Sequence, residues 1–156
     1  MSEAYFYHLT RQPLDVTLRI LLEKSLAVGW RVVVRGRDSA ALAKLDEQLW
    51  LRPEEGFLPH GLAGGPHDAL QPILLTTEHR AVPNGPHALF SVDGADLDAD
   101  ELRSLTRAMI LFDGHDPHAV EGARAQWRAL TGAGLAAKYW SEEGGKWEMK
   151  AESNPA

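Results

Sequence analysis

The sequence predicts a single α/β domain whose open, mostly parallel sheet carries helices on both faces. The first observation is that segments typical of strands alternate with segments whose leucines recur at helical spacing. The second is that strand segments such as VVV at 32–34 and AMILF at 108–112 are apolar at consecutive positions, as in strands buried on both faces. The third is length, since 156 residues without an internal repeat, a low-complexity tract or a linker are expected to form one domain.

The first half of the chain begins with a predicted strand at 4–9, in the aromatic and apolar run AYFYHL. An amphipathic helix is expected at about 13–28, because leucines recur there at helical spacing until Gly29 ends the pattern. The β-branched run within 30–36 predicts a buried strand. A second helix is expected after Asp38, a good N-cap residue, with leucines along one face.

The second half contains predicted strands at 73–77 and 88–92, on either side of a Pro-Asn-Gly turn. A short helix is expected at 98–105, and the apolar run at 108–112 predicts a further strand. A longer helix should begin at Asp116, because a capping residue is followed there by proline, which suits the first helical position.

The carboxyl-terminal region is expected to add one more strand near 135–140 before the chain turns polar. We therefore expect the α/β domain to span 1–150. The last residues, 151–156, are expected to form a disordered tail.

Composition narrows the classes of function. The chain has no cysteine, which excludes disulfides, cysteine-ligated zinc and a thiol nucleophile. It has no apolar run long enough for a membrane span and no signal-peptide pattern, so a soluble, cytoplasmic protein is expected. The net charge of −6 argues against binding nucleic acid directly, because such binding depends on Lys and Arg neutralising phosphates.

The sequence offers no convincing catalytic, cofactor or metal site. The turn after the first strand, HLTRQPLD, lacks the glycines that let a backbone approach a pyrophosphate, so no nucleotide site is expected. The run FDGHDPH at 112–118 holds His115 and His118, but it is better explained as a solvated helix start capped by Asp116. Gly-x-Ser-x-Gly is absent as well.

The loop at 49–64, LWLRPEEGFLPHGLAG, is unusually aromatic and rigid for a loop. In one reading its aromatic side chains fold back and close the edge of the sheet. In the other they form an exposed docking patch, since rigid aromatic anchors lose little conformational entropy on binding. The residues of this candidate patch are Trp50, Pro53, Phe57, Pro59 and His60.

The last predicted helix places basic residues beside an aromatic one. Trp127 lies on the apolar stripe of the helix, and Arg124 and Arg128 flank it. This combination suits a peptide that carries carboxylates and a hydrophobic side chain.

The sequence resembles the chi subunit family of bacterial DNA polymerase III. The resemblance runs through YFYHL, GWRVVV, KLDEQLW, RPEEGFLPHGLAG, AMILF and GARAQWRALTGAG, in that order. It implies a Rossmann-like domain without a nucleotide site and without a cofactor. It also implies a non-catalytic adaptor, monomeric in isolation, that links the clamp loader, through the psi subunit or an equivalent partner, to the acidic tail of single-stranded-DNA-binding protein. In some bacteria a repair helicase is another partner.

The resemblance also suggests which residues meet these partners. The family's contact with psi or the helicase falls on Trp50 and Phe57, and we add Pro53, Pro59 and His60 by proximity. The tail site uses an Arg-x-x-Tyr pattern in the last helix. Arg124 matches the arginine of this pattern, and Trp127 stands where the family has tyrosine. Arg128 is the third residue expected in the tail site.

Two other classes of function remain open at this stage. One is an enzyme with a site in the crevice beyond the carboxyl ends of the strands, using the DGHDPH run. The other is a domain that contacts single-stranded DNA directly through Arg31, Arg35 and Arg37, although the acidic net charge disfavours it.

Overall fold

A computed structural model describes residues 2–51, 58–78 and 83–154 of the chain. Within these ranges the strands are β1 (Glu3–Leu9), β2 (Val32–Arg35), β3 (Gly61–Leu62), β4 (Ile73–Thr76), β5 (Ala88–Ser91), β6 (Arg107–Asp113), β7 (Ala136–Ser141) and β8 (Glu148–Ser153). The helices are α1 (Leu14–Ala27), α2 (Ser39–Trp50), α3 (Ala99–Arg103) and α4 (Pro117–Gly132), with a short 3-10 turn at Asp68–Leu70. None of these helices is long and apolar enough to cross a membrane.

The strands form one sheet in the order β3-β4-β2-β5-β6-β1-β7-β8. All neighbouring pairs in the described ranges are parallel except β7 and β8, which are antiparallel. The open, mostly parallel α/β sheet predicted from the sequence is therefore confirmed.

Helices cover both faces of the sheet. On one face, the buried leucines of α1 and α2 pack with Val32 and Val34 of β2 and with inward residues of β4, β5 and β6. On the other face, Leu102 of α3 and Leu130 of α4 pack with Phe6 of β1. Two cores result, because successive side chains of a strand point to opposite faces.

Three helices begin at the predicted N-cap residues. The Asp38 carboxylate accepts the backbone N–H groups of Ala40 and Ala41 at the start of α2. Asp98 and Asp116 accept from the residue two positions later in α3 and α4, and Pro117 stands at the first position of α4. Each carboxylate satisfies a donor that the helix itself leaves unpaired, which stabilises a helix by about 1 kcal/mol.

Strand β8 was not predicted, and it corrects the expected tail at 151–156. Residues Ala151–Ser153 continue the strand and pair with Ala137–Tyr139 of β7, so the ordered chain extends at least to Ser153. The strand reads EMKAES, whose charged and small residues give little hydrophobic alternation. Its anchor lies outside the strand, where Trp147 packs edge-on against Tyr7 with ring centroids 5.5 Å apart.

Candidate functional site

The crevice beyond the carboxyl ends of β2 and β5 is the usual ligand position in an open α/β sheet. Chain connections diverge there, since β2 leads through α2 to β3 on one side and β5 leads through α3 to β6 on the other. Side chains occupy this crevice. The buried Arg35 at the end of β2 donates to both Glu101 carboxylate oxygens, at 2.7 and 2.8 Å, and to the Glu78 carbonyl oxygen at 2.9 Å. The N-terminus of α2 is likewise occupied by the Asp38 carboxylate.

A second anion-binding position, in the turn after β1, is also filled from within the chain. The backbone N–H groups of Thr10, Arg11 and Gln12 all donate to Glu142 Oε1, at 3.0, 2.7 and 3.0 Å. Burial by itself raises the pKa of Glu142, but the three N–H groups and the Arg11 charge outweigh burial and hold this pKa below its usual value. Successive backbone N–H groups of this kind bind anions, and here the anion is Glu142.

One side chain of the DGHDPH run, that of His115, holds the turn together. The His115 Nε2–H donates to the Thr10 carbonyl oxygen at 2.7 Å, which ties the loop after β6 to the loop after β1. His118 contributes its backbone N–H to the Asp116 cap at 2.9 Å. Among the residues the structure describes, no three His, Asp or Glu side chains lie close enough together to hold a metal ion.

The arginines considered for single-stranded DNA are used in contacts within the protein. Arg31 donates to the carbonyl oxygens of residues 69 and 84, at 2.8 and 3.1 Å. Arg35 pairs with Glu101 in the interior, and Arg37 Nε donates to the Asp93 carbonyl oxygen at 2.7 Å. Arg31 therefore holds loops together at the amino end of the parallel strands, and Arg35 and Arg37 do so at the carboxyl end.

Helix α4 exposes both arginines that the sequence singled out. The Arg124 side chain is 62% exposed, and its guanidinium lies 3.4 Å from Glu121 in a surface ion pair. Arg128 is also exposed. Positions 124, 127 and 128 share one face of the helix, because residues three and four apart are neighbours there.

Trp127 is half-buried between these arginines. Its ring meets Phe6 of β1 edge-on, with centroids 5.3 Å apart, so its inner side belongs to the core. Its other neighbour is Tyr139 of β7, at 6.2 Å between centroids and 73° between ring planes. The surface around Arg124 therefore has an aromatic corner built from a helix and a strand.

Sequence reasoning missed Tyr139, and the contacts that single it out are nonlocal. The Tyr139 hydroxyl and His8 Nδ1 share a hydrogen bond of 2.6 Å across 131 positions of sequence. Burial raises the pKa of Tyr139, and the Arg124 charge lowers it in part while the Glu143 charge raises it, so both charges lie near the phenol. Nothing in the local sequence around position 139 indicates these contacts.

The loop at 49–64 is described in part. Trp50, at the end of α2, is 46% exposed, and the next residue, Leu51, is 67% exposed. Pro59 is half-buried. Pro53 and Phe57 lie outside the described residues.

His60 supports Trp50 from below, so the expectation that His60 is exposed is wrong. It is only 4% exposed, and its ring stacks against Trp50 with centroids 4.1 Å apart. Its two ring nitrogens face the Leu58 carbonyl oxygen at 2.6 Å and Asp46 oxygens at 3.2 Å. The inner side of the Trp50 ring thus rests on a fixed His60 ring, and 46% of Trp50 stays exposed.

Comparison of the sequence with known proteins relates the chain to one family. The family model described as "DNA polymerase III chi subunit, HolC" matches residues 1–138. A relative named DNA polymerase III subunit chi, from Escherichia coli (strain K12), is 51% identical over 36 residues, which cover 23% of this chain and 24% of the relative. A second, named probable DNA polymerase III subunit chi, from Rickettsia prowazekii (strain Madrid E), is 27% identical over 97 residues, which cover 62% and 58%. The chain thus spans less than two thirds of the length of either relative.

Proposed function

Since the chain belongs to the DNA polymerase III chi subunit family, we propose that it is a non-catalytic replication adaptor with two docking surfaces. One surface, at Arg124, Trp127 and Arg128, receives the acidic carboxyl-terminal tail of single-stranded-DNA-binding protein. The other, at Trp50, Pro53, Phe57 and Pro59, with the buried His60 supporting Trp50, receives the psi subunit, an equivalent clamp-loader partner or a repair helicase.

The observation that carries the proposal is the pairing of exposed arginines with a half-buried aromatic ring on one face of α4. A peptide that ends in phenylalanine presents a carboxylate and an aromatic ring within one residue. The Arg124 guanidinium can bind that carboxylate with two parallel hydrogen bonds, which a lysine cannot do. Trp127 then offers an apolar wall for the ring, and Arg128 attracts the preceding acidic residues.

The ion pair between Arg124 and Glu121 is a weak competitor for the tail. Both side chains are about two thirds exposed, at 62% and 67%, and exposed pairs contribute at most about 1 kcal/mol. A carboxylate that approaches Arg124 over an aromatic surface is partly desolvated, so its hydrogen bonds are stronger than those of Glu121. The site is therefore available at little cost in free energy.

The partner surface is supported by the rigidity of Trp50. Stacking on the buried His60 ring holds the indole in place while 46% of Trp50 stays exposed. An aromatic side chain that is already ordered loses little entropy when a partner covers it, which is typical of interface hot spots. Leu51 extends the exposed apolar surface beside it.

Two positions where α/β proteins often bind ligands are filled from within the chain. The Arg35–Glu101 pair occupies the position after β2 and β5, and Glu142 occupies the anion position after β1. A substrate in either position would have to displace a carboxylate together with its hydrogen bonds. Protein docking needs neither position.

The test is fluorescence anisotropy with a labelled peptide that carries the acidic, phenylalanine-terminated tail of the host's single-stranded-DNA-binding protein. Arg124→Ala is expected to weaken binding by about 2 kcal/mol, or roughly 30-fold, the range for losing a hydrogen bond to a charged partner. The matched control is Lys24→Ala. It removes one positive charge at an exposed position of α1, on the opposite face of the sheet. Equal affinities of wild type and Arg124→Ala would refute the site, and failure of wild type to bind would refute the tail as a partner.

A further inference from the structure

We propose that His8 is a positioning residue for the surface around Arg124. Through its hydrogen bond to Tyr139 it fixes the phenol ring, and Tyr139 and Trp127 together form an aromatic corner that selects an aromatic carboxyl-terminal residue in the bound peptide. The inference rests on the proposed tail-binding function, and it adds a selectivity that the arginines alone do not supply.

Tyr139 belongs to the same surface as Arg124. The two aromatic rings of the corner stand 73° apart with centroids separated by 6.2 Å, so they form adjacent walls rather than a closed stack. The Arg124 charge is close enough to act on the Tyr139 phenol. A carboxylate bound by Arg124 therefore places the side chain of the same residue next to both walls.

His8 holds Tyr139 in place. His8 Nδ1 lies 2.6 Å from the Tyr139 hydroxyl oxygen, and the two rings meet edge-on with centroids 5.8 Å apart. Phe112 packs against both rings at tilted angles, with centroids 5.2 Å from His8 and 5.9 Å from Tyr139. The phenol is thus held at its hydroxyl end and packed against Phe112.

The His8 side chain is itself confined on several sides. Its side chain is only 13% exposed, and it lies so close to Gly114 that a Cβ at that position would overlap the imidazole ring. On its outer side it approaches Glu143, with 4.0 Å between His8 Nε2 and Glu143 Oε1. Because the His8 side chain is confined in this way, it determines the position of the Tyr139 hydroxyl and does not move to follow it.

The selectivity follows from ring geometry. An incoming phenylalanine ring can meet the corner edge-to-face, and such aromatic pairs contribute beyond the area they bury. A leucine side chain buries comparable area without that contribution. When the two rings of the corner are already fixed, no conformational entropy is lost in ordering them on binding. Because His8 fixes Tyr139, the preference for a Phe-terminated peptide depends on the His8 contact.

The experiment measures preference rather than affinity alone. Two acidic peptides that differ only in ending with Phe or Leu are titrated against wild type, His8→Leu, Tyr139→Phe and the double variant. The wild-type preference for Phe is expected to fall roughly 3- to 10-fold in each single variant. Because His8 acts through Tyr139, the double variant should lose no more of the preference for Phe than His8→Leu does. Tyr139→Phe keeps the ring and removes only the hydroxyl, so it tests the hydrogen bond without depending on the fold of the His8 variant.

Rescue separates positioning from general stability. His8→Asn places an amide where Nδ1 stands, so it should restore part of the Phe preference. An unchanged preference in His8→Leu and Tyr139→Phe, or additive losses in the double variant, would overturn the inference while the adaptor function stands. Arg124→Ala should weaken both peptides without changing their ratio. If wild type bound neither peptide, the proposed function and this inference would both fall.

Discussion

Glu142 is the side chain whose removal tests most directly how the last hairpin is attached to the sheet. It lies between β7 and β8, is only 4% exposed, and accepts the N–H groups of residues 10–12 in the turn before α1. We expect Glu142→Gln to destabilise the protein. The substitution keeps size and shape and removes the charge that these donors face.

The magnitude follows from the hydrogen bonds. A hydrogen bond to a charged group contributes about 1.5–3 kcal/mol, but here three donors share one oxygen and a glutamine oxygen still accepts more weakly. We therefore expect a loss of about 2 kcal/mol in the free energy of unfolding at neutral pH. For a domain of this size, that loss lowers the midpoint of thermal unfolding by about 4–8 °C.

The dependence on pH gives the prediction its sign. The pKa of Glu142 is lower in the folded protein than its usual value of 4.5, so folding favours the ionised carboxylate. Its contribution to stability is fully present above pH 4.5 and is lost as the pH falls through the lowered folded pKa. The difference between wild type and Glu142→Gln should therefore be constant near neutrality and shrink in acid.

The assay is urea unfolding of both proteins at pH 7 and at several values below pH 5, with Glu143→Gln as the matched control. Glu143 is the adjacent carboxylate, its side chain is 64% exposed, and its Oε1 lies 4.0 Å from His8 Nε2. We expect Glu143→Gln to change stability by less than about 0.5 kcal/mol, as for most exposed substitutions. Equal stabilities of Glu142→Gln and wild type at pH 7 would refute the account, and so would a difference that grows in acid.

Two further predictions concern packing and the separation of the proposed surfaces. Gly114→Ala should lower the free energy of unfolding, measured in urea, by about 1–3 kcal/mol, because the new Cβ would overlap the His8 ring. Gly122→Ala on α4 is the control, since its Cβ would meet no neighbour within 4 Å and should not destabilise the protein. Equal effects at the two glycines would contradict this packing. Trp50→Ala should weaken binding of the clamp-loader partner by about 2 kcal/mol or more and leave tail-peptide affinity unchanged in calorimetric titrations, with Arg124→Ala doing the reverse; loss of both ligands in either variant would show that the surfaces are not separate.

The features that the sequence predicted well are those decided within a few residues. Asp38, Asp98 and Asp116 start their helices because a carboxylate reaches the N–H groups two or three positions later. The buried strands were also predicted correctly, since a short run of consecutive apolar residues is typical of a strand that is covered on both faces. Strand β8 was missed because it gains its stability from pairing with β7 and from the packing of Trp147, neither of which its own residues indicate.

The contacts that define the candidate surfaces depend on topology instead. Strand β1 is the first in the chain, yet it lies between β6 and β7 in the sheet. That order brings His8 beside Tyr139 and brings Glu142 to the turn at residues 10–12, across more than 100 positions of sequence. No periodicity within a single segment carries information about such pairs. The Trp50 and His60 stack is closer in sequence, but it depends on how the loop returns after 58, which two prolines and several glycines leave undecided.

The same strand order separates the two proposed docking surfaces. Helix α2, which ends at Trp50, contacts β3 and β4 at one side of the sheet, and α4, which carries Arg124, contacts β1, β6 and β7 toward the other. From β4 to β7 there are five steps between strands, which at about 4.8 Å each amount to roughly 24 Å. The helices also lie on opposite faces, as their two hydrophobic cores show. A short peptide on α4 therefore cannot reach a partner at Trp50, and simultaneous binding requires no movement of the sheet between them.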